Sequence, residues 1–453
     1  MDYKSKYNKY KNKYLTLKNI KYHDLKGGNI LTIQPVKLKG IAYFGHVQNS
    51  DKNIILMGEV HIELNELDSI KKCDNSKKII DWLNEDIISQ FKDTPDKQLD
   101  IFFEWPYKIS YTEELKKKKI QEFKEIDSTL FNLAVLIMEK PINTRIHTID
   151  FRNNFLEITI KIGRLDKLFR ENIYPNTQNY IMYNHIKLLD SFDELIKLFF
   201  MIFFDKKKTQ LNKDIIAGLK ELIVNNITDY INGLDVIFKP YYLTYPQQFI
   251  HLKEYIDYMN EIFEELKKDL SGLDKINFAD FDSEYIDGIL PNTLFVKNYN
   301  KIDPKFQSQY MIHNRKLIEI IEDFSQKYKT FKELFTRHII KYTDEEEEFI
   351  KQQRIEFEEK YIINDFTNIN SCQDLFISVV SEVIDLYAIG RMLKPYVKTS
   401  VYYAGLTHTK NIIKKLQEYS FELKYESNSI NRTTWENIGE YENYCIDIKQ
   451  ISI

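Results

Sequence analysis

Two segments that lie far apart in the chain have the same form, and together they decide the fold. Residues 53–61 read NIILMGEVH, and residues 400–408 read SVYYAGLTH. In each segment a short apolar run, typical of a buried strand, is followed by Gly-x-x-His. Because ligands of parallel α/β sheets bind outside the carboxyl ends of the strands, we predict that the two histidines share one polar site there.

Further strand-like runs surround these two segments. In the first third they are GIAYF (40–44), LDIFF (99–103) and RIHTID (145–150), and helical periodicity separates them over 76–91 and 112–139. Near the end, strand-like runs cover 400–404, 421–425 and 444–449. Strands that alternate with helices indicate a largely parallel sheet, and three isolated strands rarely form a stable domain. We therefore predict an α/β fold whose sheet is built from both ends of the chain.

The middle of the chain has a different pattern. Long amphipathic helices are predicted there, for example over 215–226, 251–270, 314–328 and 345–361, with almost no strand signal. The predicted organisation has four parts. They are a basic leader (1–28), the first part of the α/β core (29–154), a helical insertion (155–395) and the second part of the core (396–453).

Composition excludes several classes of protein. The net charge of −4 argues against a specific nucleic-acid partner, since phosphate binding requires a basic surplus. Three widely spaced cysteines fit a reducing compartment and no disulfide framework. The longest apolar run, residues 198–204, is far shorter than the ~20 residues that span a bilayer. We expect a soluble cytoplasmic protein without a transmembrane segment.

The leader carries a separate signal. Tyr3, Tyr7, Tyr10 and Tyr14 lie on one face of a predicted helix, lysines fill the remaining surface, and a Gly-Gly pair ends the segment at residue 28. Such a helix can bind a membrane surface, nucleic acid or a protein partner, and the alternative is a solvated tail.

Charged or polar residues follow four of the predicted strands. They are Glu59 with His61, Glu104, Asp150 with Arg152, and His408. Groups of this kind at a sheet edge either pair with one another or act in a functional site. Structural alternatives stay open: His61 in a loop, His408 as a helix cap, and Glu104 or Asp150 in a structural ion pair. His147 is expected to pack on a sheet face.

The quoted motifs resemble those of a known superfamily. ILMGEVH, VYYAGLTH and the helical IDLYAIGRML (residues 384–393) are similar to segments shared by erythromycin esterase-like hydrolases, TraB/Tiki metalloproteases and ChaN-like haem-binding proteins. The resemblance covers 29–154 and 380–425. It implies an α/β core with functional positions at Gly58, Glu59, His61, Gly405 and His408, together with Glu104 and Arg391. It does not choose among the superfamily's activities.

The leader also resembles the openings of uncharacterised proteins of giant DNA viruses. That resemblance implies a location in the cytoplasm of a host cell or in the virion.

The leading hypothesis is a hydrolase of an ester or amide bond in a small molecule or peptide. His61 or Glu59 would be the general base, and His408 would be the partner acid or base. Arg391 would stabilise the oxyanion. With a divalent metal (Mn, Co or Zn), His61, His408 and either Glu59 or Glu104 would be the ligands.

Two alternatives remain open. One is a non-enzymatic virion or host-interaction protein that retains the fold. The other is a haem or iron binder that uses the same histidines.

Overall fold

The computed structural model describes residues 32–39, 41–59, 76–92, 94, 97–106, 142–150, 153–168, 181–204, 213–272, 286–290, 293–342, 369–428 and 445–452. Several predictions fall outside these residues. They concern the leader (1–28), His61, Arg152 and the helices over 112–139 and 345–361.

The described residues form eleven strands and a set of mostly long helices. The strands are β1 (Thr32–Ile33), β2 (Val36–Lys39), β3 (Tyr43–Gln48), β4 (Asn53–Glu59), β5 (Lys77–Lys78), β6 (Leu99–Pro106), β7 (Thr144–Asp150), β8 (Thr399–Gly405), β9 (Glu422–Asn428), β10 (Cys445–Ile448) and β11 (Ile451–Ser452). The helices are α1 (Ile79–Trp82), continued by a π-helical turn (Leu83–Ile88) and α2 (Ser89–Lys92), then α3 (Asn153–Leu168), α4 (Ile181–Phe204), α5 (Lys213–Thr244), α6 (Pro246–Gly272), α7 (Thr293–Tyr299), α8 (Pro304–Tyr342), α9 (Ile369–Met392) and α10 (Leu406–Glu418).

Both ends of the chain contribute to one six-stranded sheet, in the order β7-β6-β8-β4-β3-β9. Strands β7, β6, β8 and β4 are parallel, whereas β3 is antiparallel to both of its neighbours. The late strand β8 lies between the early strands β6 and β4. The predicted α/β fold, with a largely parallel sheet built from both ends and a helical insertion, is therefore confirmed.

One strand departs from the prediction of a single shared sheet. Strand β10 pairs with β2 in a separate three-stranded sheet, and β1 pairs with β11. The buried Ile446 and Ile448 of β10 alternate with the exposed Asp447, and the exposed Lys449 follows the strand. This alternation suits a strand with one face on a core and the other in water, whereas the central parallel strands are covered on both faces.

The central strands separate two hydrophobic cores. Leu56, Phe102 and Tyr402 point to the core shared with the helical insertion, and this side is called the insertion face. Met57 and Tyr403 point to the core shared with Trp82 and the small sheets, and this side is called the outer face. Alternate residues of one strand therefore face different environments.

All described residues between β7 and β8 that adopt regular structure are helical. Helix α9, the last of this series, packs against α3, α8 and β7 and leads into β8 through a short turn. Helices α9 and α10 together cover the insertion face. None of the described helices is both long enough and apolar enough to cross a membrane.

Candidate functional site at the carboxyl edge of the sheet

The carboxyl ends of β4 and β8 lie side by side. Gly58 is the strand partner of Ala404, and Glu59 is the partner of Gly405. Helix α10 starts directly after β8, with Gly405 as its N-cap residue. Because no loop intervenes, His408 lies in the first turn of α10, immediately beyond the strand end, and does not cap the helix itself.

The second motif explains why the first motif has a glycine at position 58. A Cβ atom at position 58 would lie 3.1 Å from Cα of Leu406 and 3.2 Å from Cβ of Thr409. The Thr409 hydroxyl donates to the carbonyl oxygen of Met57 at 3.1 Å. Gly58 therefore allows the start of α10 to approach β4 closely.

His408 is held by a carboxylate from the helical insertion. Its Nδ1 lies 2.6 Å from Oδ1 of Asp385 on α9, and Asp385 is fully buried. Burial raises the pKa of Asp385 above its usual value, and the contact with His408 opposes that rise. With Nδ1–H donating to the carboxylate, Nε2 is the ring nitrogen that faces the strand ends.

Glu104 joins this pair from β6. Its Oε2 accepts the backbone N–H of Gly405 at 2.6 Å, and its Oε1 lies 3.5 Å from Nε2 of His408. The side chains of His408 and Glu104 are each only 9% exposed. Asp385, His408 and Glu104 thus form a continuous polar row from α9 to the edge of the sheet.

Glu59 lies at the same edge but on the other face. Strand alternation places it with Ile55 and Met57, whose side chains belong to the outer-face core. It is buried and accepts a hydrogen bond from the hydroxyl of Tyr403, which also faces outward. The structure therefore separates Glu59 from the row formed by Asp385, His408 and Glu104.

Arg391 does not lie beside His408. It follows Asp385 by six residues on α9, about 9 Å along the helix axis. Since α9 runs toward the amino end of β8, its last turn lies toward the opposite edge of the sheet. There Nη2 of Arg391 donates to Nδ1 of His147 at 2.7 Å. The predicted role of Arg391 as an oxyanion stabiliser next to His408 has no support in this geometry.

His147 lies on the sheet face, as predicted, and its ring stacks on Phe102 with centroids 4.6 Å apart. Its Nε2 lies 2.7 Å from Oδ1 of the fully buried Asp100. Arg145 also donates to Asp100, with Nε 2.7 Å from Oδ1. Asp150 is buried at the end of β7.

Sequence reasoning did not assign Asp385 to the site. One signal in the sequence was available: Asp385 is an acidic residue within the apolar stretch of α9. A charge on a buried helix face requires a partner, so Asp385 could have been expected to have one. The hydrogen bond between Tyr403 and Glu59 was also missed, as was the group formed by Asp100, Arg145 and His147.

In the described part of the chain, a metal ion would find only two ligands at this edge, His408 and Glu104. Among the described residues, no group of three His, Cys, Asp or Glu side chains is placed to hold one. Nε2 of His408 and Oε1 of Glu104, 3.5 Å apart, have the spacing of two tetrahedral ligands that each lie ~2.0–2.2 Å from zinc. The contact between Asp385 and Nδ1 resembles the carboxylate support of many metal-binding histidines.

Comparisons with protein-family models, with curated proteins and with solved structures find no match to this chain.

Proposed function

We propose that this chain hydrolyses an ester or amide bond, with His408 as the general base and Asp385 as the residue that orients it. The observation that carries the proposal is the 2.6 Å contact between the buried Asp385 and Nδ1 of His408, which directs Nε2 toward the carboxyl edge of the sheet. A histidine in this arrangement has a fixed tautomer, and its protonated form is stabilised by the carboxylate.

The placement of the side chains supports the following proposed reaction. A water molecule donates one hydrogen to Nε2 of His408 and the other to Oε1 of Glu104. As its oxygen bonds to the carbonyl carbon of the substrate, Nε2 takes the proton and the carbonyl electron pair moves to oxygen. The tetrahedral intermediate then collapses: the oxyanion re-forms the carbonyl, the bond from carbon to the alkoxy oxygen or amide nitrogen breaks, and that leaving atom takes the proton from Nε2.

The developing oxyanion needs positive charge that Arg391 does not provide. Helix α10 starts at Leu406 without a side-chain hydrogen bond at its cap. The backbone N–H groups in the first turn of a helix have no partner within that helix, and the helix dipole is positive there. We assign oxyanion stabilisation to these groups, which lie in the same turn as His408.

A divalent metal is compatible with the same residues. His408 and Glu104 would supply two ligands, and the rest would come from outside the described residues, where His61 was predicted as a ligand. A bound Mn, Co or Zn ion would act as a Lewis acid and lower the pKa of a water molecule.

The test is turnover of a panel of nitrophenyl esters and chromogenic peptides by the full-length chain. Each substrate is assayed with EDTA and with added Mn²⁺, Co²⁺ or Zn²⁺. We expect turnover of at least one substrate and a loss of about a hundredfold or more in kcat/KM for His408→Gln.

A matched control is His313→Gln. His313 is also buried, and its Nε2 lies 2.8 Å from a carboxylate of Glu418. Glu418 is the last residue of α10, so this pair lies about 15 Å from His408 along the helix. Full activity of His408→Gln would contradict the proposal. Absence of turnover under every condition would favour the non-enzymatic alternative.

A further inference from the structure

A group of basic side chains at the opposite edge of the sheet has no role in the proposed hydrolysis. It consists of Arg145 and His147 on β7, Arg391 in the last turn of α9, and Lys394 in the turn that joins α9 to β8. These four residues are called the amino-edge cluster.

The carboxylate of Asp100 is already committed to two members of this cluster. Arg145 donates to both of its oxygens, and His147 donates to Oδ1 through Nε2 at 2.7 Å. Arg145 also donates to the carbonyl oxygen of Tyr396 at 3.2 Å. The negative charge of Asp100 therefore balances Arg145.

In the part of the chain that the structure describes, no carboxylate is paired with Arg391. Within the described part of the chain its guanidinium bonds only to Nδ1 of His147. Because His147 accepts there and donates from Nε2, its ring is neutral. This agrees with a pKa of His147 that burial lowers from its usual value. Among the described residues, one of the five N–H donors of Arg391 is used and no carboxylate pairs with its charge.

Lys394 is more unusual. It is 3% exposed, yet no described residue accepts a hydrogen bond from its ammonium group or forms an ion pair with it. Buried lysines are rare unless they are paired. Burial, together with the nearby charges of Arg391 and Lys301, lowers the pKa of Lys394 to about 7, and Asp100 opposes this effect only in part.

Lys52 provides an internal comparison. It is 1% exposed, and its ammonium donates to the carbonyl oxygens of Lys394 (2.6 Å) and Val397. Two of the three ammonium donors of Lys52 thus have backbone acceptors. Lys394, which is equally buried, has no equivalent acceptors in the described residues.

We propose that Arg391 and Lys394 bind a phosphate group at the amino edge of the sheet. The fork of an arginine and the point charge of a lysine are the two cations that proteins use for phosphate. When Lys394 is protonated, the two positive charges match the nearly two negative charges of a phosphate monoester. His147 holds Arg391 in place through its Nδ1, and the ligand is either inorganic phosphate or a small phosphorylated molecule.

The experiment is calorimetric titration of the full-length chain at constant ionic strength with inorganic phosphate, sulfate and glycerol 3-phosphate. We expect saturable binding, weakened roughly tenfold or more by Arg391→Gln and by Lys394→Met. Arg315→Gln, which removes an equal charge from the exposed surface of α8, should leave affinity unchanged. Tighter binding of glycerol 3-phosphate would identify an organic phosphate, and equal or weaker binding would identify the free anion.

Sulfate supplies a second readout, because its charge is constant between about pH 6 and 8. Its affinity should fall as the pH rises through 7 and Lys394 loses its proton, and Lys394→Met should remove this dependence. Lys394→Arg keeps the positive charge and serves as a second variant. If Lys394→Met does not fold, Lys394→Arg should still bind sulfate. The proposal is overturned if no anion binds, or if both variants bind like the wild type. Neither readout depends on hydrolytic activity.

Discussion

Helix α9 carries a charged group to each edge of the sheet, and in both places the group contacts a histidine. At the carboxyl edge Asp385 contacts Nδ1 of His408, and Nε2 of His408 lies 3.5 Å from Oε1 of Glu104. At the amino edge both nitrogens of His147 are occupied, one by Asp100 and the other by Arg391.

The two edges of the sheet show that a carboxylate–histidine contact can have two different roles. A histidine that is fixed on both sides cannot take a proton from a substrate without losing a partner, so His147 serves to order Asp100 and Arg391. His408 is held at Nδ1 by Asp385, and its Nε2 points toward Glu104 at the edge where ligands of parallel sheets bind, a placement suited to proton transfer. A carboxylate–histidine contact alone therefore does not identify a catalytic site.

The largest expected effect comes from breaking the two contacts in matched variants. Asp385→Asn should lower kcat/KM by about a hundredfold, because the amide cannot stabilise a protonated His408 and favours the wrong tautomer. Asp100→Asn should leave kcat/KM nearly unchanged and should lower the free energy of unfolding by roughly 2–4 kcal/mol, because Arg145 loses its counter-charge. Steady-state kinetics and urea denaturation of both variants measure these effects. Equal losses of activity would show that the two contacts do not differ in function.

Much of the fold could be predicted because buried parallel strands are apolar on both faces and appear as short apolar runs. Strands β4, β6 and β8 were recognised in this way, and β7 was predicted from the more polar run RIHTID. The shared carboxyl edge of these strands correctly brought Glu104 close to His408. Strand β10 was misplaced because pairing partners are not encoded locally, and its alternating residues fit more than one sheet.

The rest of the site could not be predicted for two physical reasons. A strand that is apolar on both faces gives no indication of which residues face which layer, so the separation of Glu59 from Glu104 was not visible. Asp385 comes from a helix whose rotation depends on tertiary packing. The helix pattern showed an acidic residue in an apolar stretch, but it did not show that His408 would be its partner.

A smaller effect, on the free energy of unfolding, is expected from His147 when the pH is lowered. The pKa of His147 is lowered in the folded chain, so the unfolded state binds more protons below the ordinary histidine pKa. The contribution of His147 is therefore present above about pH 6.5 and is lost as the pH falls toward its folded value. His147→Gln, which can still donate to Asp100 and accept from Arg391, should lose less stability than the wild type between neutral and acidic pH. Urea midpoints at both pH values measure this, with His251→Gln on the exposed surface of α6 as the control. A variant as acid-sensitive as the wild type would show that His147 does not titrate on unfolding.

The smallest effects on activity should come from the outer face. Glu59→Gln and Tyr403→Phe should each change kcat/KM by less than about threefold, because Glu59 is separated from His408 by the sheet. Tyr403→Phe should still lower the free energy of unfolding by about 1–3 kcal/mol, since a buried carboxylate loses a hydrogen-bond donor.

Glu104→Gln is the matched comparison on the insertion face, and it should lower kcat/KM by at least about tenfold, because Oε1 no longer carries the charge that orients the water. If Glu59→Gln instead lost as much activity as Glu104→Gln, the two carboxylates would act together, and the catalytic role that the first motif predicts for Glu59 would stand.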